Sequence, residues 1–127
     1  GYSVEIVQDL HGLVSSCNLI VTTTPVTEPL IQADWILPGT HITAVGSDTP
    51  GKRELEKGVL ERADYIIADS ISQCASQGEL QYENNYDVIE LGDWIAGKMT
   101  RKESDITVCD LTGVAVQDIV IANLVIG

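Results

Sequence analysis

The 127-residue sequence contains no phenylalanine, and aromatic residues make up only 5% of it. With so few aromatic side chains, the core has to be built mainly from valine, isoleucine, leucine and alanine. This composition suits strands that helices cover on both faces. Cations are also scarce, with 7 lysines and arginines against 19 acidic residues and a formal net charge of −12. We therefore expect neither a nucleic-acid partner nor an anionic membrane surface, because both require an excess of cationic side chains.

Cysteine is present without any pairing pattern. Cys17, Cys74 and Cys109 lie far apart, and the sequence has no CxxC or CxxH motif. This spacing predicts reduced structural thiols, no metal site and a cytoplasmic location. The sequence also lacks a basic signal region and any apolar run of about 18 residues, so we expect no segment that spans or crosses a membrane.

The sequence does contain alternating β-branched and amphipathic stretches. Strands are predicted at 18–24, 41–45, 64–70 and 105–110, with short extended pieces at 4–7 and just before Leu91. Helices are predicted at 10–15, 53–63, 71–77 and 113–126, with a short turn at 31–35 and a short helix that ends at Gly97. Ser70 is expected to cap the helix that Gly78 ends. This alternation, at a length suited to one domain, predicts an α/β fold with a mostly parallel sheet.

Three loops directly follow predicted strands, at 22–25, 46–52 and 111–113. In a parallel sheet the carboxyl ends of the strands meet at one edge, where ligands of such folds bind. The loops are rich in threonine, glycine and serine, which offer hydroxyl and backbone N–H groups. We therefore expect a ligand site at this edge.

The loop after the second long strand carries the most chemistry. Gly46 leaves room for a ligand near the backbone, and Asp48 is suited to act as a general base. Lys52 is positioned to bind a phosphate or to pair with Asp48. The same residues are also typical of a plain turn before Pro50-Gly51, and spacing alone gives the two interpretations about equal weight.

The other two loops are less specific. The run from Thr22 to Thr24 suits contact with a ribose or an amide, but it is equally a β-branched strand that ends at Pro25. Thr112 and Gly113 either present N–H groups to a ligand or begin the last helix. A dinucleotide fold normally opens with a strand and a G-x-G-x-x-G loop, and this sequence contains no such loop.

Taken together, the motifs resemble the ornithine cyclodeaminase/mu-crystallin family. The matching segments occur in family order from about Val4 onward: CNLIVTTTP, WILPGTHITAVGSDTPGKREL, VLERADYIIADS, VIELGDWIAGK and DITVCDLTGVAVQD. The resemblance implies a Rossmann-type domain and an NAD- or NADP-dependent reaction at an amino or imino carbon. Cyclising deamination of ornithine, reduction of a cyclic ketimine and dehydrogenation of alanine are the reactions of this class.

The resemblance also implies roles for individual residues. Asp48 matches the catalytic acid/base of the family. Thr112 and Gly113 match the loop that contacts cofactor and substrate near the nicotinamide. Five further residues match dinucleotide contacts: Thr22, Val45, Gly46, Ser47 and Lys52.

The family's glycine-rich loop, first strand and upstream substrate clamp have no counterpart here. We therefore expect residues 1–127 to be a partial dinucleotide-binding domain that lacks the first βα unit and is inactive by itself. The alternative is a stand-alone, non-catalytic oligomeric domain that has lost or changed its function. The closing helix is apolar on nearly every side, which predicts a homo-oligomer in either case.

Overall fold

The computed structural model describes residues 1–83, 85–97 and 99–126. Five strands form one sheet: β1 (Leu19–Thr22), β2 (His41–Ala44), β3 (Tyr65–Ala68), β4 (Val88–Glu90) and β5 (Thr107–Asp110). Their spatial order is β1-β2-β5-β3-β4, and each neighbouring pair is parallel. The predicted α/β fold with a parallel sheet is confirmed.

The described residues form five helices: α1 (Leu10–Ser16), α2 (Lys57–Arg62), α3 (Ile71–Gln77), α4 (Leu91–Ala96) and α5 (Ala115–Ile126), of which α5 buries none of its residues. Short 3-10 turns occur at Ala33–Trp35 and Glu79–Tyr82. Among the described residues, no helix has both the length and the apolarity needed to cross a membrane.

The core is aliphatic, as the lack of phenylalanine requires. Ile42 of β2 and Val108 of β5 are fully buried at the centre of the sheet. Leu55 and Val59 cover them from the segment around α2, and Cys74 of α3 is buried as a small apolar side chain. β-branched residues suit the middle strand, β5, because all four of its residues are buried and both of its faces are therefore covered.

The register of the sheet aligns the ends of all five strands. Thr22 pairs with Ala44, Ala44 with Asp110, Asp110 with Ala68, and Ala68 with Glu90. We call this row the carboxyl edge. The three loops that the sequence analysis singled out leave from it, so the prediction that they share one edge is confirmed.

The predicted helix over 53–63 is wrong in its first turn, because α2 begins only at Lys57. Leu55 instead forms a parallel bridge with Ile31. The carbonyl of Glu54 accepts hydrogen bonds from the N–H groups of Leu30 and Ile31, at 2.9 and 3.0 Å. These long-range bonds hold the segment extended, although its apolar residues have helical spacing.

Other differences are local. The extended piece predicted at 4–7 forms no strand, and Val4 and Ile6 are about nine-tenths exposed. Ser70 stands at the amino end of α3 but its side chain makes no capping bond, since its hydroxyl lies instead near that of Ser72. The long strands are each shorter than predicted, and α5 begins at Ala115 rather than at residue 113.

Candidate functional site

Asp48 and Lys52 form an ion pair in the loop after β2. The Lys52 Nζ to Asp48 Oδ1 distance is 2.6 Å, and the side chains are 26% exposed for Lys52 and 49% for Asp48. The hydrogen bond from Lys52 lowers the pKa of Asp48 below its ordinary value. The pairing that the sequence allowed is therefore present, and it favours the carboxylate form of Asp48, which can accept a proton.

The turn that carries this pair is fixed through the backbone carbonyl of Lys52. Three groups donate to that oxygen: the Ser47 hydroxyl at 2.9 Å, the Gln81 amide at 3.0 Å and the Tyr82 hydroxyl at 3.0 Å. The side-chain oxygen of Gln81, Oε1, in turn accepts a hydrogen bond from the Gly51 N–H at 2.8 Å. Ser47 is buried, so its hydroxyl supports the turn rather than facing solvent.

The loops after β1 and β2 are joined by the buried carboxylate of Glu54. Its Oε1 accepts from the Thr24 N–H at 2.6 Å and from the Thr24 hydroxyl at 2.7 Å. Its Oε2 accepts from the Thr22 hydroxyl at 2.6 Å and from the Gly46 N–H at 2.8 Å. We call this arrangement the Glu54 clasp. The sequence analysis considered the Thr22 and Thr24 hydroxyls as ligand contacts. In the structure both donate hydrogen bonds to the Glu54 carboxylate.

Gly46 is required by the clasp itself. A Cβ atom at this position would overlap the Glu54 Oε1 and the backbone of Thr24. The sequence analysis expected this glycine to leave room for a ligand. The structure adds a second reason, which is that a side chain here would overlap Glu54 and Thr24. Val45, by contrast, is 38% exposed.

A second carboxylate fixes the loop after β5. Asp69, which follows β3, accepts from the Gly113 N–H at 2.7 Å and from the Thr112 hydroxyl at 3.3 Å. The Gln73 amide of α3 also donates to the Thr112 hydroxyl, at 2.8 Å. Gly113 has a φ of +83° and open space where a side chain would lie. Its backbone is therefore accessible from outside the edge.

Two further acids, Glu79 and Asp110, are buried near the edge, and no lysine or arginine in the described part of the chain forms an ion pair with either of them. Glu79 accepts from the Glu54 N–H at 2.7 Å and from the Leu55 N–H at 3.2 Å, and Asp110 accepts from the Leu80 N–H at 3.2 Å. Burial raises the pKa of Glu79 to about 7 and the pKa of Asp110 to about 6. Asp110 Oδ1 has no hydrogen-bond partner among residues 1–83, 85–97 and 99–126. These groups keep a proton more readily than surface carboxyls.

The predicted site residues thus fall into two connected groups. Thr22 and Gly46 donate hydrogen bonds to Glu54, and the same loop as Gly46 also carries Val45, Ser47, Asp48 and Lys52. Thr112 and Gly113 both donate to Asp69. The sequence analysis assigned no role to the acids that hold them. Asp69 and Asp110 lie at the ends of strands β3 and β5, and a polar residue in that place can be recognised from the sequence. Glu54 lies in a segment with helical spacing, and no sequence pattern indicates the role of Glu79.

The sequence and the fold of this chain both resemble those of known proteins. The model of the ornithine cyclodeaminase/mu-crystallin family matches residues 1–127. The chain belongs to this family. Its sequence is 41% identical, over an alignment 132 positions long, to an uncharacterized cyclodeaminase of Sinorhizobium fredii, and the alignment covers 97% of this chain and 40% of that protein.

Two solved structures of the family resemble this fold. The iminosuccinate reductase of Paracoccus denitrificans in complex with NAD+ gives a TM-score of 0.83 at 34% identity, over 91% of this chain and 38% of that one. An archaeal alanine dehydrogenase dimer with bound NAD gives 0.78 at 35% identity, over 86% and 37%. The Rossmann-like character of the domain is confirmed by these neighbours. The chain spans about 40% of the length of the relatives it matches.

Replacing Gly46 with alanine should destabilise the chain. The added Cβ would force the Glu54 carboxylate or the Thr24 backbone to move, which we expect to cost about 1–3 kcal/mol of unfolding free energy. Urea denaturation would measure it. Gly92→Ala is the control, because a Cβ there meets nothing within 4 Å and alanine favours helix α4. Equal stability of G46A and the unmodified chain would contradict the steric role of Gly46.

The pH dependence of stability should reveal Glu79. Its folded pKa of about 7 exceeds the ordinary 4.5, so the folded state binds more protons than the unfolded state between these values. The unfolding free energy should therefore fall as pH rises from 5 to 8. Glu79→Gln should reduce this fall by on the order of 2 kcal/mol.

Denaturant unfolding at pH 5, 6, 7 and 8 would give both curves. Glu28→Gln serves as the control for loss of one carboxyl, since Glu28 is exposed. Parallel curves for the unmodified chain and E79Q would show that Glu79 does not titrate in this range.

Proposed function

We propose that the chain forms part of the cofactor domain of an NAD- or NADP-dependent enzyme that acts at the amino or imino carbon of an amino acid or cyclic imine. The observation that carries the proposal is the Asp48–Lys52 pair, a proton acceptor beside a cation at the carboxyl edge. The names of the relatives support it: a cyclodeaminase, an iminosuccinate reductase with NAD+ and an alanine dehydrogenase with NAD.

The edge suits an extended dinucleotide. The backbone of Val45, Gly46 and Ser47 would line one side of it, and Thr112 with Gly113 would line the other. Gly113 leaves open space in which a nicotinamide ring can approach the main chain. Thr22 would act from below the edge, because its hydroxyl is bonded to Glu54 and its side chain is buried.

A bound nicotinamide supplies the hydride chemistry, accepting a hydride from an amino acid α-carbon or donating one to an imine. Asp48 would accept the proton that leaves the amine or the attacking water, and would return it in the reverse direction. While Lys52 holds Asp48, the pKa of that carboxyl stays low and the carboxylate is a weak base. Lys52 drawn toward a ligand phosphate would release Asp48, so cofactor binding and proton transfer would be coupled.

Titration of NADH and NADPH into the purified chain, followed by calorimetry, tests the cofactor assignment. We expect saturable binding that Lys52→Ala weakens about tenfold, because a charge-assisted contact to phosphate is lost. Asp48→Asn should bind at least as tightly as the unmodified chain, because it frees Lys52 from its partner.

Lys57→Ala is the matched control. Lys57 pairs with Glu61 and Glu83 and not with Asp48, so its loss should leave binding unchanged. Equal weakening by K57A and K52A would point to bulk charge rather than to a site. No binding of either nucleotide at millimolar concentration would contradict a cofactor role for this chain and favour the non-catalytic alternative.

Helix α5 favours self-association as a second property. None of the described residues of this helix is buried, and its large apolar side chains are exposed: Val116, Ile119, Val120, Ile121, Leu124, Val125 and Ile126. An apolar surface of this kind is costly to leave in water. One of the related structures is described as a dimer. We propose that two or more copies of the chain associate through α5.

Light scattering coupled to size-exclusion chromatography would measure the mass in solution. We expect a mass of at least two chains, and a shift toward the monomer when Ile119, Ile121 and Leu124 are changed together to glutamate. The triple change Ser3→Glu, Gln8→Glu and Thr100→Glu adds the same three negative charges at exposed positions outside α5 and controls for altered surface charge. A monomeric mass of the unmodified chain at micromolar concentration would exclude this association.

A further inference from the structure

Glu54 is unusual among the acids of this chain because four donors from three residues converge on one fully buried carboxylate. Each oxygen accepts one backbone N–H and one hydroxyl. Among the described residues, no lysine or arginine forms an ion pair with it. Hydrogen bonds from the two loops are therefore what compensates the burial of this group.

The donors belong to different strands. Thr22 and Thr24 continue β1, whereas Gly46 continues β2. The last backbone hydrogen bond between the two strands runs from the Val45 N–H to the Thr22 carbonyl, at 3.0 Å. Beyond it, backbone pairing no longer holds the two loops together. The clasp continues the pairing past that point through a side chain.

The main chain of Glu54 is itself held from both directions. Its N–H donates to Glu79, and its carbonyl accepts from Leu30 and Ile31. It lies two residues beyond Lys52, so the same residue that joins the loops also ends the turn carrying Asp48 and Lys52. A shift of the Glu54 backbone would move the ion pair relative to Gly46.

We propose that Glu54 is a positioning residue that sets the placement of the loops after β1 and β2 and thereby the geometry of the cofactor site. Its importance for a cofactor rests on the proposed function. Its effect on the loops does not, and it can be measured without any ligand.

Glu54→Gln is a sharp test because it preserves shape. In either amide orientation the new NH2 group replaces an oxygen that now accepts a backbone N–H, from Thr24 or from Gly46. The NH2 group of the glutamine then faces the backbone N–H of Thr24 or of Gly46, both groups are donors, and that loop amide loses its acceptor. Thr24→Val is a milder second variant that removes only one hydroxyl and keeps the branched side chain.

Amide hydrogen exchange, read residue by residue by NMR, measures the loops directly. We expect at least one of the Thr24 and Gly46 amides, the one that loses its acceptor, to exchange about tenfold faster in E54Q, with a smaller effect in T24V. Two amides outside the clasp serve as internal references. Thr107 N–H donates to the Thr40 carbonyl within the sheet, and Leu111 N–H donates to the Ala44 carbonyl at the same edge, at 3.0 and 2.9 Å.

Unchanged exchange at Thr24 and Gly46 would overturn the proposal. So would an equal acceleration at all four amides, because Glu54 would then contribute only to global stability. Glu56→Gln is the matched control: it neutralises a neighbouring acid whose carboxylate binds the Ala33 N–H, away from the two loops.

NADH titration provides the second readout. We expect E54Q to weaken NADH binding about tenfold while E56Q leaves it unchanged, a difference that a shared loss of stability would not produce. Equal affinities of E54Q and the unmodified chain would overturn the role at the cofactor site. If the unmodified chain binds no NADH, the proposed function fails for this chain, and hydrogen exchange still decides whether Glu54 positions the loops.

Discussion

The carboxylate of Glu54 is the interaction on which the candidate site depends. A parallel sheet brings strand ends into one row, but its ladder stops where the loops begin. Past that point, buried hydrogen bonds from Thr22, Thr24 and Gly46 keep the two loops together. Asp69 does the same for the loop containing Thr112 and Gly113. The candidate site is thus a set of main-chain segments that acidic side chains hold from beneath.

The sequence predicted the fold well because the fold follows from periodicity. β-branched runs separated by helical spacing lead to a parallel sheet, and a parallel sheet collects its loops at one edge. The sequence also allowed the Asp48–Lys52 pairing as one of two roles for Lys52, because this contact is local and spans only four residues. The family was recognised from motif order, and the match over residues 1–127 confirms it.

The supporting acids could not be predicted in this way, because their partners lie far away along the chain. Thr22 and Glu54 are separated by 32 residues, and Glu54 and Glu79 by 25. Helical spacing of Leu55 and Val59 predicted a longer helix, and the tertiary bonds of residue 54 overrode it. A polar residue that ends a buried strand, such as Asp69 or Asp110, remains the one pattern from which such partners can be anticipated.

Two glycines each face one of these acids without a side chain between them. A Cβ at Gly46 would meet Glu54, and a Cβ at Gly78 would meet the carboxyl group of Asp110. Each glycine and its acid are therefore sterically coupled, since the space that a side chain at the glycine would need is filled by the carboxyl group. Shortening the acid would open that space, so the destabilisation caused by a glycine substitution and by loss of its facing acid should not add up when the two changes are combined.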